Sequence, residues 1–283
     1  MPNSGIAQDA AEFGSFRSRA ATHPGTAGRM NEDGYLNRPD LGLWVVADGA
    51  GGHQSGEVAS AEVVAALQDI AAGLSAGEML QEVRGRLERV HVRLRDASEE
   101  RGQGVVMATT VVVLIARDDH FACLWAGDSP AYLLRGDLLT KITRDHSLVQ
   151  DLVESGVITE AEAVNHRQAN IITRAVGADQ ETLELDKRTG PLMPGDRLML
   201  CSDGLSKSLS PGEIASLLSL EQGADAEQLV MAAIDARAID NVTAITIEFG
   251  DSDPATTVEI HKSRGPATPT AAPANGASGP VTR

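Results

Sequence analysis

Two hydrophobic patterns alternate along this chain. Strand-length runs, largely apolar, lie at residues 43–47, 109–116, 121–126, 131–135, 196–202 and 242–249. Shorter strand-like stretches lie at 16–22 and around Tyr35-Leu36. Between them, apolar residues recur every three or four positions, the spacing of a helix. The spacing predicts a helix over residues 57–72, with Val58, Ala61, Val64, Ala65 and Leu67 turned inward. A second long helix carries Leu80, Val83, Leu87, Val90 and Leu94, with His91 at the boundary of that stripe and not as a ligand. Ser75 with Glu78, Thr159 with Glu162 and Ser210 with Glu213 read as capping boxes, the last with Pro211 at the first helical position. Asp225 caps a further helix over 226–236.

The connections organise these elements. Asp118-Asp119 and the run Gly127-Asp128-Ser129-Pro130 leave room only for tight turns, so the strands around them pair antiparallel. Residues 37–40 read as a hairpin turn into the strand at 43–47. The section from 144 to about 190 mixes helix signals with polar loops and predicts a flap at about 150–190 inserted between strands. Antiparallel strands with helices grouped between them predict an α+β domain over residues 14–249, helices packed on sheets. Residues 1–13 lack periodicity and are expected to be flexible. Residues 250–283 are rich in Pro, Ala, Thr, Gly and Ser and are expected to be a disordered tail.

Composition narrows the function. The 283 residues contain only 3% aromatics, so Val, Leu, Ile and Ala must fill the core. A formal net charge of −16 argues against nucleic acid or an anionic membrane surface as partner. No secretory signal or spanning apolar run is visible, and Cys123 and Cys201 both fall inside strand-like runs. Two buried thiols in a reducing cytoplasm are the expectation. No Cys/His zinc spacing occurs.

The chemistry concentrates at strand ends. Val45-Val46-Ala47-Asp48-Gly49-Ala50-Gly51-Gly52-His53 is an apolar run that delivers one carboxylate and then turns on three glycines. The glycines let backbone approach a ligand without an intervening Cβ. A tight turn with an incidental Asp and His has the same local pattern. Asp203 follows a second apolar run, and Asp240 with Asn241 opens a third. Carboxylates gathered at buried strand ends repel each other and raise their own pKa values. Divalent cations relieve both burdens, and hard oxygen donors favour Mg²⁺ or Mn²⁺. The alternative is that each acid caps an unrelated helix or turn.

Seven segments together resemble the protein phosphatase 2C family of metal-dependent serine/threonine phosphatases. Val45 to His53 resembles its "VxDGxGGH" signature, and Asn31-Glu32-Asp33 its upstream acidic motif. Gly127-Asp128-Ser129 resembles "xGDSR", Asp145-His146-Ser147-Leu148-Val149 "DHSLV", and Thr173-Arg174-Ala175-Val176-Gly177 the "xxTRALG" run. Ser202-Asp203-Gly204 and Asp240-Asn241-Val242-Thr243 resemble the late metal motifs. The resemblance spans residues 14–249 in order. It implies a four-layer αββα sandwich of two antiparallel sheets flanked by helices, with two Mn²⁺ or Mg²⁺ ions at one end.

By the same resemblance, Asp48 bridges both ions and the Gly49 carbonyl completes the second ion's shell. Asp203 and Asp240 hold the first ion, Glu32 or Asp33 reaches the second, and Asp128 serves a third, weaker ion. His53 is the general acid. The implied reaction is hydrolysis of phosphoserine and phosphothreonine by an ion-activated water, which requires no phosphoenzyme. Phosphorylated proteins and a cognate Ser/Thr kinase are the implied partners of a bacterial, monomeric enzyme.

The chain departs from the family in three places. The family's phosphate-binding arginine falls at Gly28, and the arginine present, Arg29, comes one residue later. Ala50 stands where Met is common, and Pro130 where Arg is usual. Two other readings therefore stay open: a phosphoprotein-binding regulator with little turnover, and a metal phosphoesterase for small molecules.

Overall fold

The computed structural model describes residues 6–28, 30–51, 55–102, 105–164, 166–178, 180–220, 223 and 225–250. In chain order the strands and helices are β1 (Ala7–Phe13), β2 (Phe16–His23), β3 (Asp33–Arg38), β4 (Leu43–Ala50), α1 (Ser55–Gln68) and α2 (Ala76–Arg101). Then come β5 (Ala108–Thr109), β6 (Val111–Arg117), β7 (His120–Ala126), β8 (Ala131–Arg135), β9 (Leu138–Lys141), α3 (Leu148–Glu154) and α4 (Glu160–Val164). The last are β10 (Asp186–Pro191), β11 (Arg197–Cys201), α5 (Asp203–Ser206), α6 (Pro211–Leu218), α7 (Ala226–Asp235) and β12 (Val242–Phe249).

One sheet runs β1-β2-β12-β11-β8-β9. The other runs β10-β7-β6-β4-β3, with β5 paired to β4. Every pairing is antiparallel. The strands form because their apolar residues serve two cores at once. Along β4, Leu43, Val45 and Ala47 face the helices α1 and α2, while Trp44 and Val46 face the opposite sheet. Along β6, Val111, Val113 and Ile115 alternate in the same way with Val112 and Leu114. On the second sheet Leu198, Leu200, Ile245 and Ile247 point to the middle layer, and Met199, Cys201, Val242 and Ala244 to α7 and its neighbours. Strands buried on both faces explain why their sequences read as continuous apolar runs. The result is the expected four-layer sandwich, helix–sheet–sheet–helix.

The helix starts carry the expected caps. Ser75 and Glu78 exchange side-chain and backbone hydrogen bonds at α2, as do Ser210 and Glu213 at α6. The Asp225 carboxylate accepts the Glu227 N–H at α7 (3.0 Å). Both cysteines are free and buried. Among the described residues, no helix is long and apolar enough to cross a membrane.

Several local expectations are corrected. Residues 7–13, expected to be flexible, form β1, which pairs with β2 along its whole length. Its side chains are almost all exposed, so backbone pairing chiefly holds it and no hydrophobic pattern marks it. α1 is shorter than expected and buries Ala59, Ser60, Val63 and Leu67, leaving Val58 exposed. Its Ala- and Val-rich sequence offers apolar residues on several sides, and the sheet beneath decides which side goes in. His91 is fully buried, not at a boundary. Its Nδ1 accepts the Gly177 N–H (3.0 Å), and its Nε2 lies 2.9 Å from the Gln180 carbonyl oxygen. The apolar run at 109–116 is broken at Thr110 into β5 and β6. The expected hairpin joins β3 to β4, with Arg38 opposite Leu43, and its connection is a 3₁₀ turn at residues 39–41. The flap is narrower than expected, because 186–190 belong to β10 at the sheet edge. The tail expected beyond residue 250 lies outside the described residues.

Leu114 is fully enclosed between the two sheets. Leu114→Ala should cost about 2–5 kcal/mol of stability in urea denaturation. A loss below about 1 kcal/mol would contradict a tightly packed intersheet layer.

Candidate active site

Sheet register brings the acids to one end of the sandwich. Asp33 opens β3 and stands directly opposite Asp48 near the end of β4. β11 ends at Cys201 opposite Ala244 of β12, so Asp203, just past β11, and Asp240, just before β12, share that edge. Asp128 follows β7, whose last residue, Ala126, pairs with Val111, the first of β6. Every one of these acids sits where a buried strand meets a turn.

The backbone around Asp48 is tightly held. Its carbonyl oxygen accepts from the Thr110 N–H (2.8 Å) and the Thr109 hydroxyl (3.0 Å), and its N–H donates to Thr110 Oγ1 (3.1 Å). Thr110 Oγ1 in turn lies 2.7 Å from Ser129 Oγ, which ties this strand to the turn carrying Asp128. The next residue must be glycine: a Cβ on Gly49 would lie 2.2 Å from the Gly56 carbonyl oxygen and 2.7 Å from that of Glu32. The Gly49 N–H donates to the Glu32 carbonyl (3.1 Å).

Three polar residues, which the sequence reading did not single out as site residues, hold the acids in place. The Ser202 hydroxyl donates to Asp33 Oδ2 (2.8 Å) and accepts the Thr243 N–H (2.9 Å). Asn241 Oδ1 accepts the Glu32 N–H (2.8 Å), and its Nδ2 donates to the Pro24 and Met30 carbonyls (3.0 and 3.2 Å). Gly25, with φ +75°, packs so closely on the Asp240 carbonyl that a Cβ would come within 2.1 Å of it. The third is Lys207, four residues after Asp203, whose Nζ contacts Asp203 Oδ2 (2.5 Å). An acid–lysine pair at that spacing on a helix is a readable signal, but it is usually a surface pair.

Glu32 plays a different part from the aspartates. Its carboxylate accepts backbone N–H groups of Glu57 and Gly56 at the start of α1. Burial still raises its pKa, helped by the charge of Asp240 and opposed by those hydrogen bonds. Arg29 and His53 lie outside the described residues.

The electrostatics record crowding. Withdrawal from water, then the charges of Asp33, Asp203, Asp128 and Asp240, push Asp48 well above the usual carboxylate range. Burial pushes Asp33 up to about 7 against the Ser202 hydrogen bond and the nearby Thr243 hydroxyl, and Asp203 and Asp240 add to the rise. Burial and Asp203 push Asp128 up to about 7, with Lys207 pulling the other way. Asp33 Oδ1 and Asp128 Oδ1 are buried without a hydrogen-bond partner. Orphaned carboxylate oxygens among like charges are what a hard divalent cation satisfies, so the donor set fits Mn²⁺ or Mg²⁺. Among the described residues, no three of His, Cys, Asp and Glu are drawn together tightly enough to chelate one ion. Asp33 stands opposite Asp48 in the sheet register, and Asp128 and Asp203 share Lys207.

These shifts predict a pH dependence. Asp33 and Asp128 bind protons more tightly in the folded chain than in the unfolded one, whose aspartates titrate near 3.9. Stability in EDTA should therefore fall as pH rises from about 5 to 7 and level off above, and Mn²⁺ should remove the slope. Asp33→Asn should reduce it in EDTA, leaving the part that Asp128 contributes. Melting temperatures across this range check this; stability rising with pH in EDTA would contradict it.

Comparison with known proteins identifies the family and the fold. A family model described as protein phosphatase 2C matches residues 25–232. The serine/threonine phosphatase stp of Listeria innocua is 32% identical over 247 residues, 84% of this chain and 95% of that one. The structure of PppA, described as a key regulatory component of T6SS in Pseudomonas aeruginosa, is 39% identical with a TM-score of 0.76, covering 85% of this chain and 100% of that one. The catalytic domain of the serine/threonine protein phosphatase PstP, solved in complex with two manganese ions, is 32% identical with a TM-score of 0.70, covering 83% and 99%. The chain belongs to the protein phosphatase 2C family and is an enzyme of its serine/threonine phosphatase class.

Proposed function

We propose that the chain removes phosphate from phosphoserine and phosphothreonine in proteins, using two Mn²⁺ or Mg²⁺ ions held at the Asp33/Asp48/Asp203/Asp240 end of the sandwich. The observation that carries this reading is the convergence of those carboxylates at one end of the two sheets, with a partnerless Asp33 oxygen among them. Two bound ions supply an activated water at neutral pH and neutralise the phosphoryl oxygens.

The chain's own residues do the rest. Asp203 and Asp240 would hold the first ion, Asp33 and the Gly49 carbonyl, free of any Cβ, would hold the second, and Asp48 would serve both, with the Glu32 carboxylate behind Asp33 at the start of α1. His53 protonates the departing serine or threonine oxygen. Arg29 binds the phosphate in place of the family's arginine, one residue out of register. The Thr110 and Ser202 hydrogen bonds keep the acids fixed, so little reorganisation accompanies the reaction.

The two buried free cysteines fit a reducing cytoplasm. There the enzyme opposes a bacterial Ser/Thr kinase, and its substrates are that kinase's phosphorylated products.

Phosphate release from a phosphothreonine peptide in Mn²⁺ tests the reading. EDTA should abolish it, and Asp203→Asn should lower kcat on the order of 10²-fold or more. Full activity without divalent metal would overturn the proposal. Faster turnover of a nucleotide than of the peptide would move the substrate from proteins to small molecules.

A further inference from the structure

Lys207 is the one cation that ion-pairs with Asp203 or Asp128 among the described residues. It follows the single turn α5, so its side chain runs back over Asp203. Its Nζ lies 2.5 Å from Asp203 Oδ2, 2.8 Å from Asn170 Oδ1 and 3.7 Å from Asp128 Oδ2. An ammonium has three N–H donors. Two make hydrogen bonds, to a carboxylate and to an amide oxygen, and the charge alone reaches the third oxygen. Asp128 is 6% exposed and one of its oxygens has no hydrogen-bond partner, so it needs a cation more than a surface acid does.

These oxygens come from separate parts of the chain. Asp128 belongs to the β7–β8 turn, Asp203 to the β11–α5 turn, and Asn170 to the segment between α4 and β10. One flexible side chain closes all three. A divalent ion between Asp128 and Asp203 would have to displace the ammonium or sit against it, and like charges at that range oppose each other.

We propose that Lys207 is a built-in counter-cation for the Asp128–Asp203 pair, closing that corner to a third divalent ion and tying Asn170 to the metal end of the sandwich. The proposal rests on the two-ion reading above. It makes the protein a two-ion enzyme by sequence, with Lys207 positioning Asp203.

The Mn²⁺ stoichiometry of the full chain, measured by equilibrium dialysis with metal analysis, tests it. The wild type should bind two ions. Lys207→Met and Lys207→Gln should each bind a third, weaker one, and Asp128→Asn added to either should return the count to two. Hydrogen exchange over residues 166–173 should quicken in Lys207→Met, which has lost the contact to Asn170. Glutamine at 207 guards against a folding defect specific to methionine, and circular dichroism of each variant checks the fold. Three ions on the wild type, or two on both Lys207 variants, would overturn the role of Lys207 and leave the two-ion reading standing. Fewer than two ions on the wild type would overturn both.

Discussion

Mutual repulsion among Asp33, Asp48, Asp128, Asp203 and Asp240 is the constraint on which this structure turns. Each acid closes or opens a strand, so the sheets gather them whether or not their charges are matched. The chain meets that burden with local devices. Ser202 donates to Asp33, Lys207 sits on Asp203, and threonine hydroxyls and amides fix the Asp48 backbone. Apart from Lys207, those contacts hold oxygens in position without neutralising them. That is the state in which a bound divalent ion gains most and the polypeptide moves least.

The two sheets make such precision possible. β4 and β6 are buried on both faces, so neither can slide or rotate without disturbing two cores. Asp48 therefore sits on a strand clamped between two cores. The segment between α3 and β10 is held differently. It is tied at its base by a bridge between Thr109 and Val176, another between Ser147 and Ile172, and the buried imidazole of His91. α3 buries none of its residues. The base of this segment is pinned while its outer turn is lightly packed.

Much of this was legible in the sequence, for stated physical reasons. Strands buried on both faces advertise themselves as apolar runs, and the acids at their ends are visible as breaks in those runs. Capping boxes involve residues three apart, so Ser75 with Glu78 and Ser210 with Glu213 were readable locally. What escaped notice depends on neighbours distant in the chain. β1 has no apolar face because it is an edge strand held by its backbone. The inward face of α1 is chosen by the sheet beneath it. His91 looks like a boundary residue until Gly177 and Gln180 fold over it. Lys207 reads as one half of a helix surface pair, because its approach to Asp128 and Asn170 exists only after folding.

The division of β4 between two cores has an evolutionary consequence. Trp44 and Val46 could be exchanged for other large apolar residues with modest repacking. A single inserted or deleted codon between Leu43 and Ala47 is another matter. It would swap the two faces of the strand, send Trp44 toward the helices and turn Asp48 away from its partner Asp33. Descendants of this sequence can therefore drift in composition along that strand, while its length stays frozen.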